Sequence, residues 1–184
     1  RQEETVLFFR AEAINTTGSP EYAWFRTVRP GGGWWQKISY SYNRENGCSV
    51  YPTGRVFGIS KLNGKPLPDE EIAVLLKPGE KAVFEFYLPH EPVTAGRAAD
   101  LSARTFDSIL YDCRGFWKSK LNKAASVRLP EKRIEEMINA GLLHLDLITY
   151  GLEPDSTLAP SVGVYSPIGT ESSPVRQFCA SMGL

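Results

Sequence analysis

The sequence predicts an α+β chain, an antiparallel β-sandwich followed by an α-helical segment. Through Leu88, short runs of β-favouring residues recur between turn signals such as Asn46-Gly47, Asn63-Gly64 and Pro78-Gly79. Each sheet built from such strands has an apolar face that needs an opposing layer, which makes a sandwich the economical arrangement. Beyond Phe116 the period changes. Ile134, Ile138, Leu142, Leu145 and Ile148 recur every three or four residues and so share one side of a helix.

The elements follow in order. Thr5 to Ile14 reads as a long strand, and Asn15-Thr-Thr-Gly18-Ser-Pro20 as a turn. Glu21 to Arg29 is the returning strand of an expected hairpin, ended by Pro30-Gly31-Gly32-Gly33. Trp35 to Tyr42 alternates as a strand, and Arg55 to Ser60, Ile72 to Leu76 and Lys81 to Leu88 continue the rhythm. Arg55, Lys61, Lys65 and Lys77 alternate with apolar residues and read as the wet faces of strands. After Pro89 a linker leads to one helix carrying Leu101, Phe106, Ile109 and Leu110, and a short helix with Phe116, Trp117 and Leu121 is expected after Gly115. Pro130 suits the first turn of the next helix, running to Tyr150, because its φ is already helical and its missing N–H would have had no partner there. Glu131 and Glu135 favour the positive end of that helix dipole. Leu143 and Leu147 give the helix a second apolar side, a pattern typical of burial between neighbours. A stretch without periodicity, 151–171, precedes a helix starting at Ser173-Pro174, with Val175, Phe178, Cys179 and Met182 on one face.

Composition bounds the function. The 184 residues, 42% of them hydrophobic, are enough for a core, and 21 basic against 21 acidic side chains leave no net field to draw nucleic acid or an anionic membrane. No apolar run is long enough to span a bilayer, so neither nucleic acid nor membrane is an expected partner. A start at Arg1 without Met or signal segment leads us to expect a processed or excised chain, and the compartment is undetermined. Cys48, Cys113 and Cys179 are odd in number and far apart, and His90 with Glu91 lacks further ligands, so no disulfide framework, metal or cofactor is expected. Asn15-Thr16-Thr17 fits the short glycosylation pattern.

A sandwich, a helical linker, Phe116-Trp-Lys-Ser-Lys-Leu121, a helix opened by Leu129-Pro-Glu-Lys-Arg-Ile134, and a loop holding Gly163-Val-Tyr-Ser-Pro-Ile-Gly169-Thr-Glu171 resemble the start of the catalytic domain of six-hairpin glycosidases. This is the (α/α)6 toroid group of carbohydrate-active enzymes, and the resemblance covers mainly residues 56–184. It implies a β-sandwich domain at 1–90, a helical linker at 91–115 and a partial α-helical domain at 116–184. Twelve helices of about 11 residues with their connections need roughly 200 residues. The 69 residues from Phe116 onward cannot hold them. The resemblance therefore implies a fragment of a glycoside hydrolase-like protein, the supporting sandwich and first toroid helices, without a complete active site. The second apolar side of the Pro130 helix would then be exposed or covered by another copy, a homodimer through exposed apolar helix faces; the alternative is that the helices cover the sandwich as a self-contained α+β domain.

Hydrolysis of an O-glycosidic bond needs two carboxyl groups across the scissile bond. The resemblance makes Glu171, in the long loop, the candidate acid. A solvated acid at a helix N-terminus is the alternative reading. Tyr165 is either a sugar contact or an anchor of its loop, and Trp34, paired with Trp35 after three glycines, is either part of a sugar platform or core filling. The platform reading supports the alternative function, a non-catalytic carbohydrate-binding or interaction module. His144 and Asp146, two apart on a helix, do not face each other and read as structural.

Overall fold

The computed structural model describes residues 5–31, 38–150, 159–160 and 169–183. The chain is α+β with antiparallel sheets, and it divides into two compact units, Glu3–Ile109 and one built on Leu110–Leu184.

The first unit contains strands β1 (Val6–Ile14), β2 (Glu21–Arg26), β3 (Ser41–Asn43), β4 (Cys48–Val50), β5 (Val56–Leu62), β6 (Lys65–Pro66), β7 (Glu71–Leu76) and β8 (Lys81–Pro89), then helix α1 (Ala95–Ala103). The main sheet runs β1-β8-β5-β4-β3, with β6 folded back on β5 through the Asn63-Gly64 turn. Both turn residues have positive φ, 50° and 77°, as a two-residue hairpin requires. Strands β2 and β7 form a separate ribbon. The expected β1–β2 hairpin is therefore absent: β1 pairs with β8 and β2 with β7. The side chain of Asn15 explains the separation. Its amide donates to Ser19 O and Leu76 O, and its carbonyl accepts from the Thr17 N–H and hydroxyl, which turns the chain out of one sheet and into the other. With Asn15 buried and both amide hydrogens engaged, the Asn15-Thr16-Thr17 pattern is no glycan acceptor in the folded protein.

The main sheet is covered on both faces at β8 and β5, while β1 keeps exposed side chains at Leu7, Phe9 and Ile14. Ala82, Phe84 and Phe86 of β8 meet Leu76, Ala23, Phe25, Ile72 and Val74 of the ribbon, and the Phe25 and Phe84 rings stack. On the opposite face Ile59 and Tyr87 meet Ala98 and Leu101 of α1 and Ile109. A sheet covered on both sides loses the simple apolar–polar alternation, which is why β5 is buried through six successive residues.

Helix α2 (Phe106–Lys123) begins after a break at Arg104, whose φ and ψ are extended, so the helix expected through this region is two. Gly115 does not interrupt it; an interior glycine costs only about 1 kcal/mol against alanine. The second unit adds α3 (Lys132–Leu147), with Glu131 at the N-cap position but no side-chain capping bond, the short ribbon β9 (Thr149–Tyr150) with β10 (Ala159–Pro160), and α4 (Gly169–Ser181). Lys120 pairs with Asp146 at 3.2 Å, and Ala125 N–H donates to Met182 O at 2.7 Å. Helix α4 starts at Gly169 and holds Pro174 inside, earlier than the Ser173-Pro174 start expected from sequence. Leu142 is buried on α3, whereas Ile134, Met137 and Leu147 are exposed.

Candidate functional site

Two arrangements in the Glu3–Ile109 unit bring chemically capable side chains together. The first lies between the main sheet and α1. Register places Arg10, Glu85 and Lys61 side by side across β1, β8 and β5, with Phe8, Tyr87 and Ile59 in the adjacent row. Glu85 Oε1 accepts from Arg10 Nε at 3.0 Å and Nη2 at 2.8 Å, and Glu85 Oε2 lies 3.2 Å from the Tyr87 hydroxyl. Arg10 also reaches Asp107 at 2.9 Å and stacks over the Phe106 ring. Lys61 Nζ donates to the carbonyls of Ser102 and Arg104, at the end of α1, and lies over the Tyr87 ring. An ammonium suits the negative end of a helix, and α1 ends at Ala103 with Arg104 extended as its C-cap.

Lys61 is 6% and Glu85 5% exposed, so Lys61 does not lie on a wet strand face as its alternation suggested. The covering helix decides this. Burial lowers the Lys61 pKa against the opposing pull of Glu85, and burial together with Glu85 raises that of Tyr87. Burial also disfavours the Arg10 cation, but its hydrogen bonds to Glu85 and Asp107 outweigh that and leave its pKa raised. Arg10 is paired with Glu85 and Asp107, and the enclosed Lys61 ammonium is held by two carbonyls and the Tyr87 hydroxyl, which fits a strand-register lock rather than a substrate site. Beside it, a cleft of about 540 Å³ is lined by Asn43, Cys48, Val56, Ala98 and Ser102. Burial pushes the Cys48 thiol up, which keeps it neutral and a poor nucleophile.

The second arrangement is the outer face of the β2–β7 ribbon. Tyr22 and Trp24 point outward at i and i+2, with Leu75 and Ala73 opposite them, while Ala23 and Phe25 face the core. Tyr22 is 70% and Trp24 69% exposed. Trp24 Nε1 donates to Glu71 Oε1 at 3.1 Å, which fixes the indole, and Arg26 lies opposite Glu71 at the same end. Arg29 sits 3.9 Å from Glu71. The result is an apolar aromatic face with a charged rim.

Of the residues singled out from sequence, Trp34 and Tyr165 lie outside the described residues. Glu171 falls within α4, and its side chain is outside the described ones. Sequence reasoning passed over Tyr22 and Trp24, although their i, i+2 spacing was a signal. Alternation alone does not say which of Trp24 and Phe25 faces out; pairing of β2 with β7 over Phe84 does. Among the described residues no group of three or more His, Cys, Asp or Glu could hold a metal, and no helix is long and apolar enough to cross a membrane. Compared with protein-family models, curated proteins and solved structures, the chain matches none.

Proposed function

We propose that this chain is the supporting, sugar-contacting part of a glycosidase-like protein, with no catalysis of its own, and that its glycan face is Tyr22 and Trp24. The reading joins two supports. The first is the resemblance in order and texture, sheet unit first and amphipathic helices after it. The second, which carries the sugar contact, is the exposed Tyr22–Trp24 face. A pyranose ring presents C–H groups on its faces and hydroxyls around its edge. Aromatic rings take the former, and a charged rim takes the latter. Residues two apart on a strand are about 6.8 Å apart, a spacing comparable to one sugar unit with its linkage. Trp24 is already oriented by Glu71, so less side-chain entropy is lost on binding. Flat, all-equatorial rings stack best, which favours β-1,4-linked glucose or xylose chains over α-linked ones.

Titration calorimetry of the whole chain with β-1,4-linked and α-1,4-linked hexasaccharides tests the proposal. Binding of the β-linked chain that falls at least tenfold in Trp24→Ala and Tyr22→Ala, and persists in Phe116→Ala, supports it. Phe116 is a suitable control as an exposed aromatic of the other unit. Absence of binding, or binding insensitive to Trp24, refutes the glycan face. Glycoside hydrolysis by this chain refutes the non-catalytic role.

A further inference from the structure

We infer that the outer edge of β1 is a self-association surface, where a second copy of this chain adds antiparallel to extend the main sheet. Strand β1 ends the β1-β8-β5-β4-β3 order, and among the described residues no strand pairs with its other side. Protected edges usually carry proline, lysine, a bulge or an unmatched inward-pointing charge, and the inward Arg10 of β1 is matched by Glu85 and Asp107. The Val6–Ile14 segment has no proline or lysine, and its register with β8 is unbroken.

Two backbone bonds show which groups point outward. His90 N–H donates to Thr5 O, and Asn15 N–H donates to Glu80 O, each one step beyond an end of the β1–β8 ladder and continuing its register. Odd-numbered residues of β1 are therefore bonded to β8. The N–H and C=O groups of Phe8, Arg10, Glu12 and Ile14 are directed away from it. An added strand must pair with these even-numbered residues, and this restricts a twofold dimer to a few registers.

Charge selects among them. A twofold axis at Arg10 sets two arginines opposite each other, and one at Glu12 sets two glutamates opposite. An axis at Ala11 sets Arg10 opposite Glu12 of the second copy, twice, and Phe8 opposite Ile14, twice. Cross-strand pairs of opposite charge are favourable and like charges are not; Arg10 keeps its bonds to Glu85 and Asp107, and the second copy's Glu12 carboxylate extends the alternating row on its free side. The same register covers Ile14 and Phe9, 55% and 52% exposed in the single chain. It leaves the small Ala11 at the axis, in the closer, non-hydrogen-bonded type of pair. Glu12 can turn to this role, since its partner Lys81 is 3.8 Å away and both side chains are substantially exposed.

Sedimentation velocity of the whole chain across a concentration series, together with cysteine cross-linking, tests the inference. The background for cross-linking is Cys113→Ser/Cys179→Ser, which leaves only the buried Cys48. The expected results are a mass that doubles with concentration in the wild type, a monomer of unchanged circular dichroism for Glu12→Arg, and a disulfide dimer on mild oxidation of Ala11→Cys but not of Ala13→Cys. In that oxidation two thiols lose two protons and two electrons to added oxidised glutathione. A wild type that is monomeric throughout overturns the inference. So does a dimer that tolerates Glu12→Arg or cross-links equally through position 13.

Discussion

Replacing Glu85 by leucine removes the carboxylate at the centre of the Arg10–Glu85–Lys61 row at little change in volume. The loss falls unevenly on the two cations. Arg10 keeps Asp107 at 2.9 Å and is one-quarter exposed, so solvent and a second carboxylate still serve it. Lys61 is enclosed and keeps only neutral partners, the Ser102 and Arg104 carbonyls and the Tyr87 hydroxyl. Removing one partner of a buried pair costs about 3–5 kcal/mol, and the retained Asp107 contact points to the lower end, about 3 kcal/mol. For a unit of this size that is a fall in Tm of roughly 12–24 °C. Converting Lys61 to methionine as well removes the stranded ammonium, so Glu85→Leu/Lys61→Met recovers stability, with a coupling of about 2 kcal/mol or more. Calorimetry gives the melting temperatures. Amide hydrogen exchange over β8 assigns the loss to this unit rather than to the helices. A Glu85→Leu chain within about 0.5 kcal/mol of wild type, or strictly additive single variants, would refute the row as an energetically coupled buried network.

Two further outcomes follow from local geometry and charge. Gly47 has φ of 69°, and a Cβ there would meet the carbonyl oxygen of Ser60, so Gly47→Ala combines left-handed strain of about 1–2 kcal/mol with a backbone clash. Denaturant unfolding should show a loss above 2 kcal/mol, whereas Gly54→Ala, with the same sign of φ but open space, should show only the strain. In the helical unit, hydrogen bonds from Lys132 and from the Leu129 N–H hold the Glu135 carboxyl below its ordinary 4.5. A depressed carboxylate contributes stability that is present above the unfolded value and lost as pH falls through the folded one. Melting curves should therefore show wild type and Glu135→Gln converging as pH drops below 4.5, and a gap that is constant from pH 6 to pH 3 would contradict the assignment.

Local rules determined much of this protein. Turn chemistry at Asn63-Gly64, the strand runs of β1, β5, β7 and β8, and the apolar period of α3 depend on residues within a few positions of each other, so they could be read from the chain. The α+β character follows from them. Partner choice could not be read in the same way. Strand β1 could form a hairpin with β2, its neighbour in sequence, and instead lies against β8, where Arg10 meets Glu85 from 75 residues away. That selection is made by burial on both faces of the sheet and by the bond from Asn15 to Leu76 O, neither of which exists before the layers close, whereas the Asn15 bonds to Thr17 and Ser19 are local. The same closure put Lys61 inside rather than outside, because α1 covers its face and offers two carbonyls at its end. It also decided the candidate glycan face: Trp24 and Phe25 are adjacent aromatics of similar local preference, and only packing on Phe84 sends one inward and leaves the other on the surface.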